Sequence, residues 1–329
     1  MEVLILLAIF VVAIITMIGG AELFLKNAER IGLQLGFSSF AIGVLIVGFG
    51  TSLPELTSSL LAVLAGEPSI VVANAIGSNI ANILVIGGVL AFLGRSLTID
   101  RDLLNAELPF FVISTALFVV SVRDGIISTP EAVLLVGTLC IYLYYLFSEE
   151  YSSGIVVDAV TEEMQHERHN FFHYLRHYSA LQPYVLLIVG LAGLILGAKY
   201  VVDTIITGAT LLEIPTDVIT ITALALGTSL PELVVSIKSL RLNKLSLAIG
   251  NIFGSNAFNI LVAVGIPGLF TTLPLDTATL TIGYPVLLAS SVILLVVGLA
   301  RKLYRWEGLM FFLLYIFFMM QIFASCCSV

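Results

Sequence analysis

Residues Gly50 to Leu56 read GTSLPEL, and the same seven residues recur from Gly227 to Leu233, 177 positions later. At that offset NAIGSNIANILV from Asn74 aligns with NIFGSNAFNILV from Asn251, and Gly20-Ala21 aligns with Gly197-Ala198, without a gap. A repeat of this kind constrains the architecture before any local feature is read. Apolar bias does not account for it, because the matched residues include Thr, Ser, Pro, Glu and Asn, which membrane spans normally avoid.

The medium is set by composition. Of 329 residues, 59% are hydrophobic and 11% charged, whereas soluble domains carry roughly 25% charged residues, and the mean hydropathy is +1.11. A water-soluble globule is excluded. The formal charge of −8 argues against a nucleic-acid partner but decides little for a chain whose surface faces lipid. No obligate protein partner is implied. Val3 to Ile18 lacks a basic leader and a small-residue cleavage pattern, so it reads as a first span rather than a removable signal. Cys140, Cys326 and Cys327 have no ligand or disulfide spacing, and no cofactor is implied.

A span needs about 20 mostly apolar residues. That rule predicts ten: 3–25, 39–64, 69–94, 105–122 and 129–147, then 183–207, 216–239, 245–269, 280–300 and 305–324. The expected fold class is an all-α membrane protein of ten transmembrane helices in two five-helix repeats. The first repeat is 1–147, with motifs 48–62 and 74–88; the second is 183–329, with motifs 225–239 and 251–265. Residues 148–182 form a polar linker. Because five is odd, the second copy enters the membrane from the opposite side, the inverted-repeat plan of many secondary transporters, which places a site near the midplane.

Basic residues stay cytoplasmic in short loops. Lys26, Arg30, Arg95, Arg101, Arg168, Arg176, Lys238, Arg241, Lys244, Arg301, Lys302 and Arg305 fall on one side; of the fourteen Lys and Arg residues only Arg123 and Lys199 do not. Both termini are therefore expected outside the cell membrane and the linker in the cytoplasm.

Glu55 and Glu232 stand inside predicted spans, where an ionised carboxylate is costly unless it pairs or binds a cation. No Lys or Arg lies nearby in the span of either. The plainer reading, a protonated glutamate hydrogen-bonded within the bundle, explains a duplicated pair less well than cation ligation does. Thr51 and Ser52 precede Glu55 by four and three residues and share its helical face; Thr228 and Ser229 stand likewise to Glu232. Pro54 and Pro231 predict helix breaks near Gly50 and Gly227, freeing carbonyls. Irregular backbone at this depth is tolerated where it is buried in protein or lines a cavity.

In the next span Asn74, Ser78 and Asn82 form one helical stripe, repeated by Asn251, Ser255 and Asn259. Interhelical hydrogen bonding and ligation are both open for these side chains. Ala73, Gly77 and Ala81 are expected to serve close helix packing. Glu22 and Lys199, at matching positions, are expected to reach the interface. His166, His169, His173 and His177 in the linker align on one helical face, for which a solvated amphipathic segment is favoured over a regulatory metal or pH site.

With GTSLPEL twice, each followed by a GS-containing asparagine segment, the chain resembles the sodium/calcium exchangers of the compact archaeal and bacterial kind. The resemblance implies four clustered cation positions holding three sodium ions or one calcium ion. Matched motif to motif, it makes Glu55 and Glu232 the principal ligands, joined by Thr51, Ser52, Ser78, Asn82, Thr228, Ser229, Ser255 and Asn259, with the carbonyls of Gly48 and Ala225. It also implies that the first and sixth spans slide against the bundle; Gly19, Gly20 and Gly197 are compatible with this. Some relatives carry Asp where Asn259 stands, so this pocket is one charge less negative and potassium dependence less expected. Two carboxylates balance one calcium or two sodium ions, so a third sodium makes exchange electrogenic. Calcium/proton and potassium-dependent antiport are the alternatives. A channel fits a closed two-fold site in one chain poorly, and no nucleophile or histidine constellation in the spans favours an enzyme.

Overall fold

The computed structural model describes residues 2–35, 37, 39–94, 96–99, 101–147, 181–211, 227 and 229–327. Long apolar segments become helices because hydrocarbon offers the backbone no hydrogen-bond partners. In chain order these are α1 (Glu2–Gln34), the bent pair α2 (Gly43–Thr51) and α3 (Leu53–Leu64), and α4 (Ser69–Gly94). Next come α5 (Arg101–Ser121), α6 (Thr129–Phe147), α7 (Gln182–Leu211) and α8 (Leu230–Arg241). The chain ends with α9 (Leu245–Gly268), α10 (Thr279–Ala300) and α11 (Arg305–Cys327).

Among the described residues, α1, α4, α7, α9, α10 and α11 are long and apolar enough to cross a membrane, and α2 with α3 makes a seventh broken span. The expected count of ten is not reached by that measure. α5 and α6 are present as helices near their expected positions, the apolar part of α6 being the short stretch Thr129–Tyr145. Of the expected span 216–239, residues 216–226 and 228 lie outside the described residues and 230–239 belong to α8; the four linker histidines also lie outside them.

The break expected near Gly50 falls two residues on, at Ser52, with a 44° bend between α2 and α3 and Ser52 at φ −90°, ψ 10°. Pro54 sits in the first turn of α3, where its missing N–H removes no helical bond, so the interruption comes just before that turn. Ser229 repeats the conformation at φ −90°, ψ 4° and α8 begins at Leu230, so α3 and α8 share both boundaries at the 177-residue offset.

The turns after these helices also match. Gly66 adopts φ 82° and Asn243 adopts φ 58°, a left-handed position that Gly takes freely and Asn tolerates. The next N–H, of Glu67 or Lys244, returns to Ala62 O or Ser239 O at 2.9 Å in each case.

Two short β ladders depart from the all-helical expectation. β1 (Ser96–Thr98) pairs with β4 (Lys302–Tyr304), and β2 (Ile126–Ile127) pairs with β3 (Leu273–Pro274), both antiparallel. Adding 177 to one strand and subtracting it from the other carries the Ser96–Tyr304 pair onto Leu273–Ile127, and Leu97–Leu303 onto Pro274–Ile126. The same register therefore joins the two halves at both places.

The apolar window of α9 is wholly buried, whereas α1, α7 and α11 are largely peripheral. Their exposed residues include Val12, Ile15, Ile188 and Leu313, as expected of a surface solvated by lipid. Glycines allow backbone contact where helices cross. A Cβ on Gly20 would lie 2.4 Å from Leu194 N, and one on Gly197 2.6 Å from Met17 N, so α1 and α7 pack directly together. Gly19 has nothing within 4 Å and takes no part. A Cβ on Gly254 would lie 2.4 Å from Val44 O, and one on Gly48 2.9 Å from Gly254 Cα, which brings α2 against α9.

Candidate ion site

Gly48 to Ser52, the start of α3, the middle of α4, the start of α8 and the middle of α9 all carry buried polar groups. Thr51, Ser52, Glu55, Ser78, Asn82, Ser229, Glu232, Ser255 and Asn259 are each at most 4% exposed, and Gly48 is buried. Thr228 and Ala225 lie outside the described residues. Glu55 and Glu232 both occupy the first turn of a half-helix, where backbone N–H dipoles favour negative charge.

The two copies meet directly. Ser52 Oγ donates to Glu232 Oε1 at 2.8 Å, so the serine serves the carboxylate of the other copy rather than Glu55 of its own. A second cluster joins α2 to α9. Thr51 Oγ1 lies 3.3 Å from both Gly48 O and Asn251 Oδ1, and Ser255 Oγ lies 3.3 Å from Gly48 O. Thr51 Oγ1 and Ser255 Oγ are 3.5 Å apart. Four oxygens from two helices thus converge with only two hydroxyl protons among them. Asn251 is held for this role by its amide, which donates to Glu232 O at 3.2 Å and Ser236 Oγ at 2.9 Å.

Several oxygens here are buried without a hydrogen-bond partner among the described residues: Glu232 Oε2, Ser229 Oγ, Asn82 Oδ1 and Asn259 Oδ1. Burying an unsatisfied polar atom costs about 1–3 kcal/mol. Hard cations take their ligands from such oxygens, so the donor set fits calcium or sodium as cargo. The asparagines of the two stripes differ in their bonding. Asn74 donates to Ser58 Oγ at 3.2 Å and ties α4 to α3, whereas Asn82 and Asn259 leave their carbonyl oxygens available.

Asn79 and Asn256 were not picked out by the four-residue stripe spacing, yet they are at most 1% exposed. Asn79 Nδ2 donates to Asn256 O at 3.1 Å, and Asn259 Nδ2 donates to Asn79 Oδ1 at 3.0 Å. The available signal was the Ser-Asn pair present in both copies.

Gly77 has nothing within 4 Å of a built Cβ, so the close packing expected of it is made instead by its counterpart Gly254. Glu22 reaches Lys238 at 2.8 Å with its side chain 63% exposed, a pair of small energetic value, while Lys199 is exposed. Lys244 pairs with Glu29. Cys140 is exposed. Among the described residues no group of three or more His, Cys, Asp or Glu gathers.

These features define a class: an integral multi-pass membrane protein with a buried cluster of polar oxygens at which the two copies of the GTSLPEL motif meet. The sodium/calcium exchanger protein family model matches residues 5–148 and 183–324, and the chain belongs to that family. It is 32% identical to sodium/calcium exchanger MaX1 of Methanosarcina acetivorans over 96% of this chain and 97% of that protein. It is also 32% identical to inner membrane protein YrbG of Escherichia coli, over 87% of this chain and 86% of that protein. A solved structure of the sodium-calcium exchanger NCX_Mj, soaked with sodium and calcium, superposes with a TM-score of 0.78 at 31% identity, covering 95% of this chain and 97% of that one.

Proposed function

We propose that the protein is a secondary antiporter exchanging sodium for calcium by alternating access, with three sodium ions moved against one calcium. Family membership and the relatives called sodium/calcium exchangers support the ion pair. The observation that carries the reading is the 2.8 Å bond from Ser52 to Glu232, because it joins the two GTSLPEL motifs around one buried site.

In this reading Glu55 and Glu232 supply the charge. Thr51, Ser52, Ser78, Asn82, Thr228, Ser229, Ser255 and Asn259, with the carbonyls of Gly48 and Ala225, replace the hydration shell. Ten spans form two inverted five-helix repeats, 1–147 and 183–329; the shared boundaries of α3 and α8 and the matching β-ladder registers support this plan. The one-sided distribution of basic residues supports placement in the cell membrane with both termini outside and the 148–182 linker in the cytoplasm. α1 and α7, in direct backbone contact through Gly20 and Gly197, move together against the rest to expose the site alternately.

Two carboxylates neutralise calcium but leave one net positive charge with three sodium ions, a charge worth about 2.3 kcal/mol per 100 mV. The test is radiolabelled calcium uptake into proteoliposomes preloaded with sodium, with potassium, or with a pH gradient alone, at potentials clamped by valinomycin and potassium. The expected result is uptake driven by sodium alone and dependent on potential. Uptake driven only by the pH gradient would replace this reading with calcium/proton exchange, and identical rates at all potentials would sink the three-for-one ratio.

A further inference from the structure

An amide side chain can ligate a cation only through its oxygen, so a buried asparagine ligand needs an acceptor that turns its NH2 group away. Asn259 has one. Its Nδ2 donates to Asn79 Oδ1 at 3.0 Å, and its own Oδ1 is buried without a hydrogen-bond partner among the described residues.

Asn79 is itself held from the other copy. Its Nδ2 donates to Asn256 O at 3.1 Å, a carbonyl in the last α turn before α9 takes up π winding at Asn259. That second bond removes the freedom of the Asn79 amide to flip, because exchanging its oxygen and nitrogen would set like groups against each other at both ends. The chain of bonds runs from the α9 backbone through the Asn79 side chain on α4 and back to the Asn259 side chain on α9.

The counterpart pair is not made. Asn82 Nδ2 and Asn256 Oδ1, which stand at the matching positions, are both without hydrogen-bond partners among the described residues, and Asn256 Nδ2 turns back to Ile252 O of its own helix at 2.7 Å. Orientation of a site amide from the opposite copy is therefore a specific arrangement on the Asn259 side rather than a general consequence of burial.

We propose that Asn79 is a positioning residue for ion binding: it fixes the Asn259 amide so that the carbonyl oxygen faces the transported cation. This rests on the exchange reading above. An amide held in this way already presents its oxygen, whereas a free one loses rotational freedom when the cation binds.

The test uses the full-length protein, reconstituted for sodium-driven calcium uptake and solubilised for calcium-induced thermal stabilisation. Asn79→Leu keeps the approximate volume and removes the acceptor; the expected result is a roughly tenfold rise in the calcium concentration for half-maximal uptake. Added to Asn259→Ala, it should cause no further rise, since the oxygen it orients is gone. Asn79→Asp keeps an acceptor oxygen for Asn259 Nδ2 and, protonated on its other oxygen, a donor for Asn256 O; it should recover most of the affinity lost in Asn79→Leu. This variant also serves if Asn79→Leu does not fold. A merely structural Asn79 would predict additive losses in the double variant and lower melting temperature without calcium in proportion to lost uptake; that pattern overturns the proposal, as does Asn79→Leu with parental affinity or Asn79→Asp as weak as Asn259→Ala. The parent protein separates the two readings: a parent that binds no calcium removes both, whereas a parent that exchanges normally alongside an unaffected Asn79→Leu removes only this one.

Discussion

Ser52 Oγ donates to Glu232 Oε1 at 2.8 Å, while Ser229, its counterpart 177 residues on, has a buried hydroxyl without a hydrogen-bond partner among the described residues. Among the described residues, the two serines of an identical motif therefore bond differently. This asymmetry, together with the packing around it, leads to four measurements.

The first compares the two serines. Ser52→Ala strands Glu232 Oε1 and should lower the stability of the calcium-free protein by about 1–3 kcal/mol. Ser229→Ala removes a hydroxyl that bonds to nothing described and should leave that stability nearly unchanged. Thermal unfolding in detergent without calcium distinguishes them, and equal losses would contradict the asymmetry.

The second concerns the carboxylates. Glu55→Gln and Glu232→Gln keep size and a carbonyl oxygen but remove a charge from a site meant to hold a divalent ion out of water. Breaking such a buried charge interaction costs about 3–5 kcal/mol, and 1.4 kcal/mol is about tenfold in binding. Each variant should purify as a monodisperse protein with no sodium-driven calcium uptake and no stabilisation by calcium. Near-parental exchange by either one would remove the pair from the transport site.

Acid should inhibit by competition. With calcium held by Glu55 and Glu232 as proposed, a proton on either carboxylate cancels the charge that calcium meets, and bound calcium excludes the proton. As pH falls, the calcium concentration for half-maximal uptake should rise while the maximal rate at saturating calcium is retained. A fall in maximal rate with unchanged half-saturation would point to protonation elsewhere.

Packing supplies the fourth. A Cβ at Gly254 meets Val44 O at 2.4 Å, whereas one at Gly77 meets nothing within 4 Å. Gly254→Ala should therefore cost about 1–3 kcal/mol through overpacking and separate Gly48 O from Ser255 Oγ, weakening calcium binding. Gly77→Ala should keep parental stability in the same unfolding measurement. Equal tolerance at both positions would mean that α2 and α9 do not pack through Gly254.

Much of this molecule is legible along one dimension. The length of an apolar run places helices such as Ser69–Gly94 because hydrocarbon leaves the backbone only its own bonds, and an identical heptad 177 residues apart marks a duplication whatever surrounds it. Glu55 and Glu232 identify themselves by the cost of a carboxylate at that depth. The partners do not. Which glutamate Ser52 meets, whether Asn74 joins helices or Asn82 leaves its oxygen free, that Asn79 turns Asn259, and that Leu97 pairs with Leu303 all depend on how helices from distant parts of the chain cross. Helical spacing records which side chains share a face of one helix, and the tertiary structure alone decides what that face meets.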